Sequence, residues 1–142
     1  MRRQFLAFAT VLLLTAPAWG DWDDGDCVQC DLSGADLSDI DLEGANLERS
    51  VFTGAFLPLI NLRGANLKWA TLKDANLSFA KLSGANLTFA DLSGANLSAA
   101  DLSGADLSSA DFSGASLYMA DLRDARFCNT MMPDGSVLYS GC

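Results

Sequence analysis

Residues 85–104 read ANLTFADLSGANLSAADLSG, and within this stretch a leucine recurs at every fifth position. The same spacing of a leucine or phenylalanine runs without a break from Leu32 to Phe127. Five residues of an α-helix turn through about 500°, so a helix would spread these side chains around its axis. A flat strand would send them to alternate faces. The chain must therefore turn at regular intervals, which predicts a solenoid of stacked turns.

Each five-residue unit divides into a short extended piece and a two-residue corner. In Ala35-Asp36-Leu37 the alanine and the leucine lie two positions apart, so both are predicted to point inward while the middle residue faces solvent. Glycine ends the corner in alternate units, as at Gly84, whereas residues such as Phe89 end the others. Because a type II turn favours glycine at its third residue, we expect type II turns at the glycine corners and a different turn elsewhere.

The repeated motif is alanine, then asparagine or aspartate, then leucine and two variable residues, as in residues 85–89, ANLTF. It resembles the motif of the pentapeptide-repeat family. The resemblance implies an all-β fold, a right-handed quadrilateral β-helix with four pentapeptides in each coil. On that basis residues 30–129 form a pentapeptide-repeat solenoid of about five coils, in which residues twenty positions apart are neighbours. Since coils stack at about 4.8 Å, we expect Trp69 and Phe89 to stack directly.

The opening residues have the pattern of an export signal. Two arginines precede an apolar run at residues 5–14, and the small residues Ala18 and Gly20 follow where a cleavage site is expected. We predict a signal peptide at residues 1–20, with cleavage after Gly20 or, as the alternative, after Ala18. The apolar run is shorter than the roughly 20 residues of a spanning helix, so no membrane anchor is expected. The mature protein is expected in the periplasm or outside the cell, and the arginine pair leaves Sec and twin-arginine export both open.

The remaining composition agrees with export. The net charge of −9 falls to −11 without residues 1–20, because they contain Arg2 and Arg3 but no acid. Such an acidic surface is a poor partner for nucleic acid, so none is expected. Residues 21–29 are interpreted as an irregular N-terminal leader and residues 130–142 as a C-terminal cap of the solenoid. This tail resembles the ending of exported bacterial members of the family.

The four cysteines indicate disulfide bonds, because an even number in a small exported domain is typical of a disulfide framework. Cys27 and Cys30 lie at one end of the solenoid and Cys128 and Cys142 at the other, about 19 Å apart across four coil intervals. A disulfide needs Cα atoms within ~7 Å, so bonds between the two ends are excluded. We predict the Cys128–Cys142 bond, which would pin the cap. The Cys27–Cys30 bond stays open, since its loop is short and Cys30 takes an inward position.

No group of residues in the sequence predicts catalysis. Histidine is absent, and the many serines occupy repeated corner positions with no base at a fixed reach. A narrow interior filled with leucine also leaves no room for a substrate. We therefore predict no enzyme activity, no catalytic residue, no cofactor and no metal site.

A candidate interaction patch arises where outward positions carry large apolar side chains in place of polar ones. Apolar residues that are exposed together on a soluble protein often mark a partner surface. The patch consists of Phe56, Leu59, Trp69, Phe79 and Phe89. It predicts that the rod binds a protein partner or a second copy of itself.

These features favour a non-enzymatic, exported structural or protein-interaction scaffold with an acidic rod surface. The alternative is a DNA-mimic protein that binds a topoisomerase such as gyrase, because the resemblance extends to relatives that are acidic rods of this kind. Gyrase is cytoplasmic, so the export signal argues against the alternative.

Overall fold

The computed structural model describes residues 26–142. The predicted signal peptide, residues 1–20, and residues 21–25 of the predicted leader lie outside the described residues. Across the described part of the chain, no helix is long and apolar enough to cross a membrane. From its first described residue the chain forms stacked turns that follow one another at a constant interval.

Backbone pairing has a register of twenty residues throughout the repeat. Seventeen parallel bridges, beginning at Asp31, each join an outward residue to the residue twenty positions later. At Asn86, for example, the amide donates to the carbonyl of Ala65 in the preceding coil at 2.9 Å. The next amide, of Leu87, donates to the carbonyl of Asp106 in the following coil at 2.8 Å. The predicted stacking of residues twenty positions apart is confirmed.

The interior is filled by columns of leucine and alanine. The inward leucines and phenylalanines from Leu32 to Phe112 are at most 4% exposed, and the alanines from Ala65 to Ala110 at most 1%. The prediction that the alanine and the leucine of each unit point inward is therefore confirmed. The last three members of the leucine column are only partly buried: Leu117, Leu122 and Phe127. The interior thus opens towards the C-terminal end.

All corners of the repeat share one backbone conformation. The amide of Ala90 closes a corner by donating to the carbonyl of Leu87 at 3.0 Å. The last corner residue has a φ of 65° at Gly84 and 60° at Phe89, and the amides of both residues donate to the next coil, at 2.9 and 3.0 Å. The prediction of a different turn at the non-glycine corners is therefore wrong. The inter-coil hydrogen bonds impose the same left-handed conformation on every corner, at a cost of roughly 1–2 kcal/mol for a residue other than glycine.

Serine hydroxyls stabilise many corners from within the same unit. The hydroxyl and the amide of Ser38 donate to one carboxylate oxygen of Asp36, at 2.6 and 3.1 Å. These bonds, first that of the hydroxyl and then that of the amide, lower the pKa of Asp36 from its ordinary value of 3.8 because they favour the charged carboxylate. Serine donates to an aspartate or asparagine in the same way at Ser33, Ser98, Ser103, Ser108, Ser113 and Ser136.

The repeat begins earlier than the predicted boundary. Residues 26–29, assigned by the sequence to the irregular leader 21–29, already lie in register with the next coil, since the amide of Cys27 donates to the carbonyl of Asn46 at 2.8 Å. Cys27 takes an inward leucine position and Cys30 an inward alanine position, and both side chains are buried. Their Cα atoms are 5.5 Å apart and the pair forms a disulfide, which the sequence leaves open.

The C-terminal cap contains the two strands of the described chain. Strand β1, Thr130–Met131, continues the parallel register of the repeat, because Met131 bridges to Asp111. Strand β2, Val137–Leu138, pairs with β1 in antiparallel orientation. The tail therefore covers the last coil along one edge instead of adding a further coil.

The tail beyond β2 is fixed to the end of the repeat. The amide of Phe127 donates to the carbonyl of Ser140 at 2.9 Å. Cys128 and Cys142 form a disulfide with Cα atoms 4.9 Å apart, which is the pairing that the sequence predicts. Tyr139 is 64% exposed, so its side chain covers little of the last coil. A two-residue antiparallel pair spans one edge of the coil and leaves its other edges open.

Overpacking of the interior tests the inward assignment. We expect Ala85→Leu to destabilise the rod by about 1–3 kcal/mol, because Ala85 is fully buried beside the leucine column and a larger side chain has no space. Ser83→Ala serves as the control, because Ser83 is an outward corner residue two positions before Ala85. This change should leave the free energy of unfolding nearly the same. Urea denaturation followed by circular dichroism measures both. Equal midpoints for the two variants would contradict the assignment.

Removal of the C-terminal disulfide tests the role of the cap. We expect Cys142→Ser to lower the free energy of unfolding by about 3 kcal/mol, because the bond closes a loop between residues 14 positions apart. The amide of Phe127 should also exchange faster, since its acceptor lies in the freed tail. Denaturation and hydrogen-exchange mass spectrometry provide the two measurements. An unchanged exchange rate at Phe127 would show that the tail stays in place without the bond.

The aspartate–serine corners make stability depend on pH. A carboxyl whose pKa is lowered by folding contributes stability above its ordinary value of 3.8, and this contribution is lost as the pH falls through the lower folded-state value. We expect the carboxyl carbon of Asp36 to titrate below 3.8 by NMR, and to return towards 3.8 in Ser38→Ala. Ser38→Thr keeps the hydroxyl and should keep the low value. The same midpoint in wild type and Ser38→Ala would rule out the hydroxyl as the cause.

Candidate interaction surface

The predicted interaction patch falls into two groups on different sides of the rod. Phe56, Leu59 and Phe79 lie together, because Phe79 follows Leu59 by one register of twenty residues. Trp69 and Phe89 lie ten residues from Leu59 and Phe79, half of that register, and hence at the opposite corner. All five side chains are 45–59% exposed. The prediction of one continuous patch is corrected to two separate surfaces.

The group formed by Trp69 and Phe89 is a stacked aromatic pair. The two ring centroids are 4.2 Å apart and the ring planes differ by 6°, which confirms the predicted stack. Each ring thereby covers one face of the other, and stacked aromatic pairs are stabilising beyond the area that they bury. With the stack in place, Trp69 and Phe89 remain 47% and 45% exposed.

The group formed by Phe56, Leu59 and Phe79 belongs to a larger surface, which we call the neutral face. It consists of the outward side chains of segments 56–59 and 76–79 and of their counterparts in the next two coils. The middle column is Phe56, Asn76, Asn96 and Ser116. The first corner column is Pro58, Ser78, Ser98 and Tyr118. The edge column is Leu59, Phe79, Ala99 and Met119. None of these side chains is charged, although the chain has a net charge of −9.

Hydrogen bonds place the middle and first corner columns on one surface. The hydroxyl of Ser98 donates to the side-chain oxygen of Asn96 at 2.6 Å. The hydroxyls of Ser98 and Ser116 lie 3.1 Å apart, across the boundary between two coils. The edge column occupies the corner beside them. The centre of the neutral face is therefore polar but uncharged, and its apolar side chains lie mainly towards the two ends.

Two large side chains of the neutral face escape the prediction from the sequence. Tyr118 and Met119 are 73% and 75% exposed, more than any residue of the predicted patch. They lie sixty residues after Pro58 and Leu59, and hence in the same columns three coils later. The twenty-residue register already places Met119 in one corner column with Leu59 and Phe79, and it adds Tyr118 to the neighbouring column in the same way.

The other faces of the described rod carry charge in the same coils. One face contains Lys73, Asp91 and Asp111. The next contains Lys81, Asp101 and Asp121. The third contains Lys68, Asp106 and Arg126. Carboxylates follow one another directly along two of these faces, since Asp91 bridges to Asp111 and Asp101 to Asp121.

Two carboxylates on these faces are paired with arginines. Arg123 forms a hydrogen bond and an ion pair with Asp121, and together with the amide of Arg123 they lower the pKa of Asp121 to about 2. Asp106 lies 3.6 Å from Arg126 in a second ion pair. Within residues 26–142, no three carboxylate or cysteine side chains are arranged so that they could hold a metal ion.

Comparison with known proteins agrees with this architecture. The Pentapeptide repeats family matches the chain in 8 copies over residues 26–58, 60–98 and 90–129. No curated protein matches the sequence significantly. A pentapeptide repeat protein from the cyanobacterium Cyanothece 51142 has a similar structure, with 29% identity and a TM-score of 0.53 over 71% of this chain and 86% of that chain.

Two further solved structures are similar in sequence over most of the rod. A pentapeptide repeat protein from the thylakoid lumen of Arabidopsis thaliana is 30% identical, with a TM-score of 0.40, over 72% of this chain and 66% of that chain. HetL, a pentapeptide repeat protein from the cyanobacterium Nostoc involved in heterocyst differentiation regulation, is 34% identical, with a TM-score of 0.33, over 80% of this chain and 66% of that chain. Because the family match extends over well more than half of its length, the chain belongs to the pentapeptide-repeat family.

Proposed function

We propose that this protein is an exported, non-enzymatic scaffold, a right-handed rod of about five coils that binds a protein partner through its neutral face. The observation that carries the proposal is the absence of charge from one face of a strongly acidic rod. Burial of an unpaired charge at an interface costs far more than burial of an apolar or hydrogen-bonding group. Protein interfaces accordingly contain few charges at their centres and many aromatic residues and methionines. The neutral face has both properties.

The composition of the neutral face also supports a protein partner. Phe56, Phe79 and Tyr118 supply large rings that are about half exposed or more. Asn76 and Asn96 supply side-chain amides at the centre of the face, whose nitrogens can donate to polar groups of a partner. Large rings around a satisfied polar centre are typical of surfaces whose binding energy comes from a few anchor side chains.

The interior supports a role without catalysis. Inward side chains such as Leu87 and Ala85 are fully buried, so the described rod is filled along its axis and encloses no space for a substrate. Serine hydroxyls, the nucleophiles that the repeat supplies most often, donate to aspartate or asparagine in their own corners, as Ser103 does to Asp101 at 2.6 Å. Those hydroxyls are used in forming turns.

Export is supported by the cysteines together with the sequence of the first twenty residues. Both pairs are oxidised, Cys27 with Cys30 and Cys128 with Cys142. Disulfides of this kind persist in the periplasm or outside the cell and are rare in the cytosol. The disulfide-pinned cap would therefore form only after the protein had left the cytoplasm.

Fractionation and capture experiments test the proposal together. We expect the protein in the exported fraction with Asp21 or Trp19 as its first residue, according to the cleavage site. Immobilised wild type should capture a protein from that fraction, and the double variant Phe56→Ser/Leu59→Ser should lose it because the face loses two anchors. Trp69→Ser/Phe89→Ser removes two exposed apolar side chains from the opposite corner and should capture normally.

Two outcomes would overturn parts of this proposal. Recovery of uncleaved protein in the cytoplasm would contradict export and would favour the topoisomerase-binding alternative. Equal capture by the two double variants would show that the neutral face does not bind the partner. Circular dichroism and melting temperatures confirm that each variant remains folded.

A further inference from the structure

The neutral face complements itself when one copy is reversed end to end. Its edge column runs Leu59, Phe79, Ala99 and Met119 along the rod. In the reverse order, Phe79 of one rod comes opposite Ala99 of the other, and Leu59 comes opposite Met119. Phe79 is 59% exposed and protrudes, whereas Ala99 is small and leaves a notch at an equivalent corner one coil later. The pair of rods therefore contains this contact twice, with Phe79 of each copy against Ala99 of the other.

The middle column has the same property. Phe56 stands at one end of this column and Ser116 at the other, with Asn76 and Asn96 between them. Reversal places the ring of Phe56 opposite the small side chain of Ser116 and one asparagine opposite the other. The side-chain nitrogen of Asn96 can donate to the side-chain oxygen of Asn76, which accepts only from the amide of Ser78, whereas the oxygen of Asn96 already accepts from Ser98. In the first corner column, reversal places Pro58 against the ring of Tyr118.

We propose that the neutral face is the interface of an antiparallel dimer, in which a two-fold axis passes between the coils of Phe79 and Ala99. The partner is a second copy of this chain. The inference rests on the proposed binding role of the neutral face and identifies its partner. A two-fold axis perpendicular to the rods brings each column against the same column of the second copy, so the reversed pairs described above all form together. An axis along the rods would instead oppose the edge column to the middle column.

Charge selects this face over the others. Two copies carry the same acidic surface, and contact through a face such as that of Asp101 and Asp121 would bring carboxylates together. The neutral face is the one face of residues 56–119 through which two copies can approach without burying a charge. On the border that precedes the middle column, the nearest acid is Asp74, which lies outside the three columns of the face and leans over Gly94 of its own rod.

The size of the face sets the strength of the dimer. Four consecutive coils at about 4.8 Å give a contact about 14 Å long between its first and last rungs. This is small beside the interfaces of permanent dimers. We therefore expect a dimer that dissociates on dilution, held mainly by the two Phe79–Ala99 contacts at its centre.

A charge placed in the notch tests the interface. Ala99→Asp would bury a carboxylate under Phe79 of the second copy and should weaken dimerisation roughly tenfold or more. Ser109→Asp is the matched control, because Ser109 and Ala99 are both half-buried last corner residues with φ of 58° and 57° and the change adds the same charge. The control should change dimerisation less than about twofold, as expected for a distant surface charge. Sedimentation equilibrium of the purified protein over a concentration series measures both.

A mixing experiment tests the antiparallel arrangement. Phe79→Lys and Ala99→Asp should each be monomeric alone at concentrations where wild type is dimeric. Mixed, they should form a heterodimer, because the ammonium group introduced into one copy would face the carboxylate introduced into the other. Fluorescence anisotropy of one labelled variant, titrated with the other, measures the association. If the two-fold axis ran along the rods, positions 79 and 99 would not meet. Mixing the two variants would then not increase their association.

The results separate this inference from the proposed function. Monomeric wild type at the highest concentration reached, or a dimer weakened equally by Ala99→Asp and Ser109→Asp, overturns the dimer. If the monomeric protein still captures another protein, and loses it in Phe56→Ser/Leu59→Ser, the proposed function stands and the second copy is the wrong partner. If wild type is dimeric, Ala99→Asp is monomeric and the mixture associates, the antiparallel dimer is established.

Discussion

The parallel hydrogen bonding between residues twenty positions apart is the constraint on which the structure depends. The amide of an outward residue such as Asn86 donates to the preceding coil, and the amide of an inward leucine such as Leu87 donates to the following one. The ladder closes only if every unit has five residues and every corner turns in the same sense. It therefore fixes which side chains are inward, and it allows no insertion within the repeat without breaking the ladder.

Much of the fold can be predicted from the sequence for this reason. The five-residue period identifies the inward column, and the twenty-residue register predicts that Trp69 stacks on Phe89. The corner conformation cannot be predicted from glycine alone, because the ladder imposes it on Phe89 as well as on Gly84. The start of the repeat is obscured because Cys27 replaces the leucine that marks a unit. The cysteine side chain fills the inward leucine position but does not match the sequence motif of the repeat.

The candidate surface is less predictable, because exposure depends on which columns lie side by side. Hydrophobicity along the sequence identifies Phe56 and Leu59 but also groups them with Trp69, which lies on the other side of the rod. It misses Tyr118 and Met119, which are far from the first group in sequence and three coils away in space. Absence of charge is a property of whole columns, so it becomes visible only once the register is known.

The corners give an energetic reason to treat the neutral face as selected for binding. Phe79 adopts a φ of 59°, a conformation that glycine takes freely in the alternate corners, and an added Cβ at Gly84 would meet no atom within 4 Å. Packing of the rod thus does not decide which corners carry side chains. Phe89 recovers its conformational cost by stacking on Trp69. Phe79 is followed in its column by Ala99, which leaves one side of its ring uncovered. A partner that covers this ring would offset the conformational cost of the positive φ of Phe79. The isolated rod does not offset this cost.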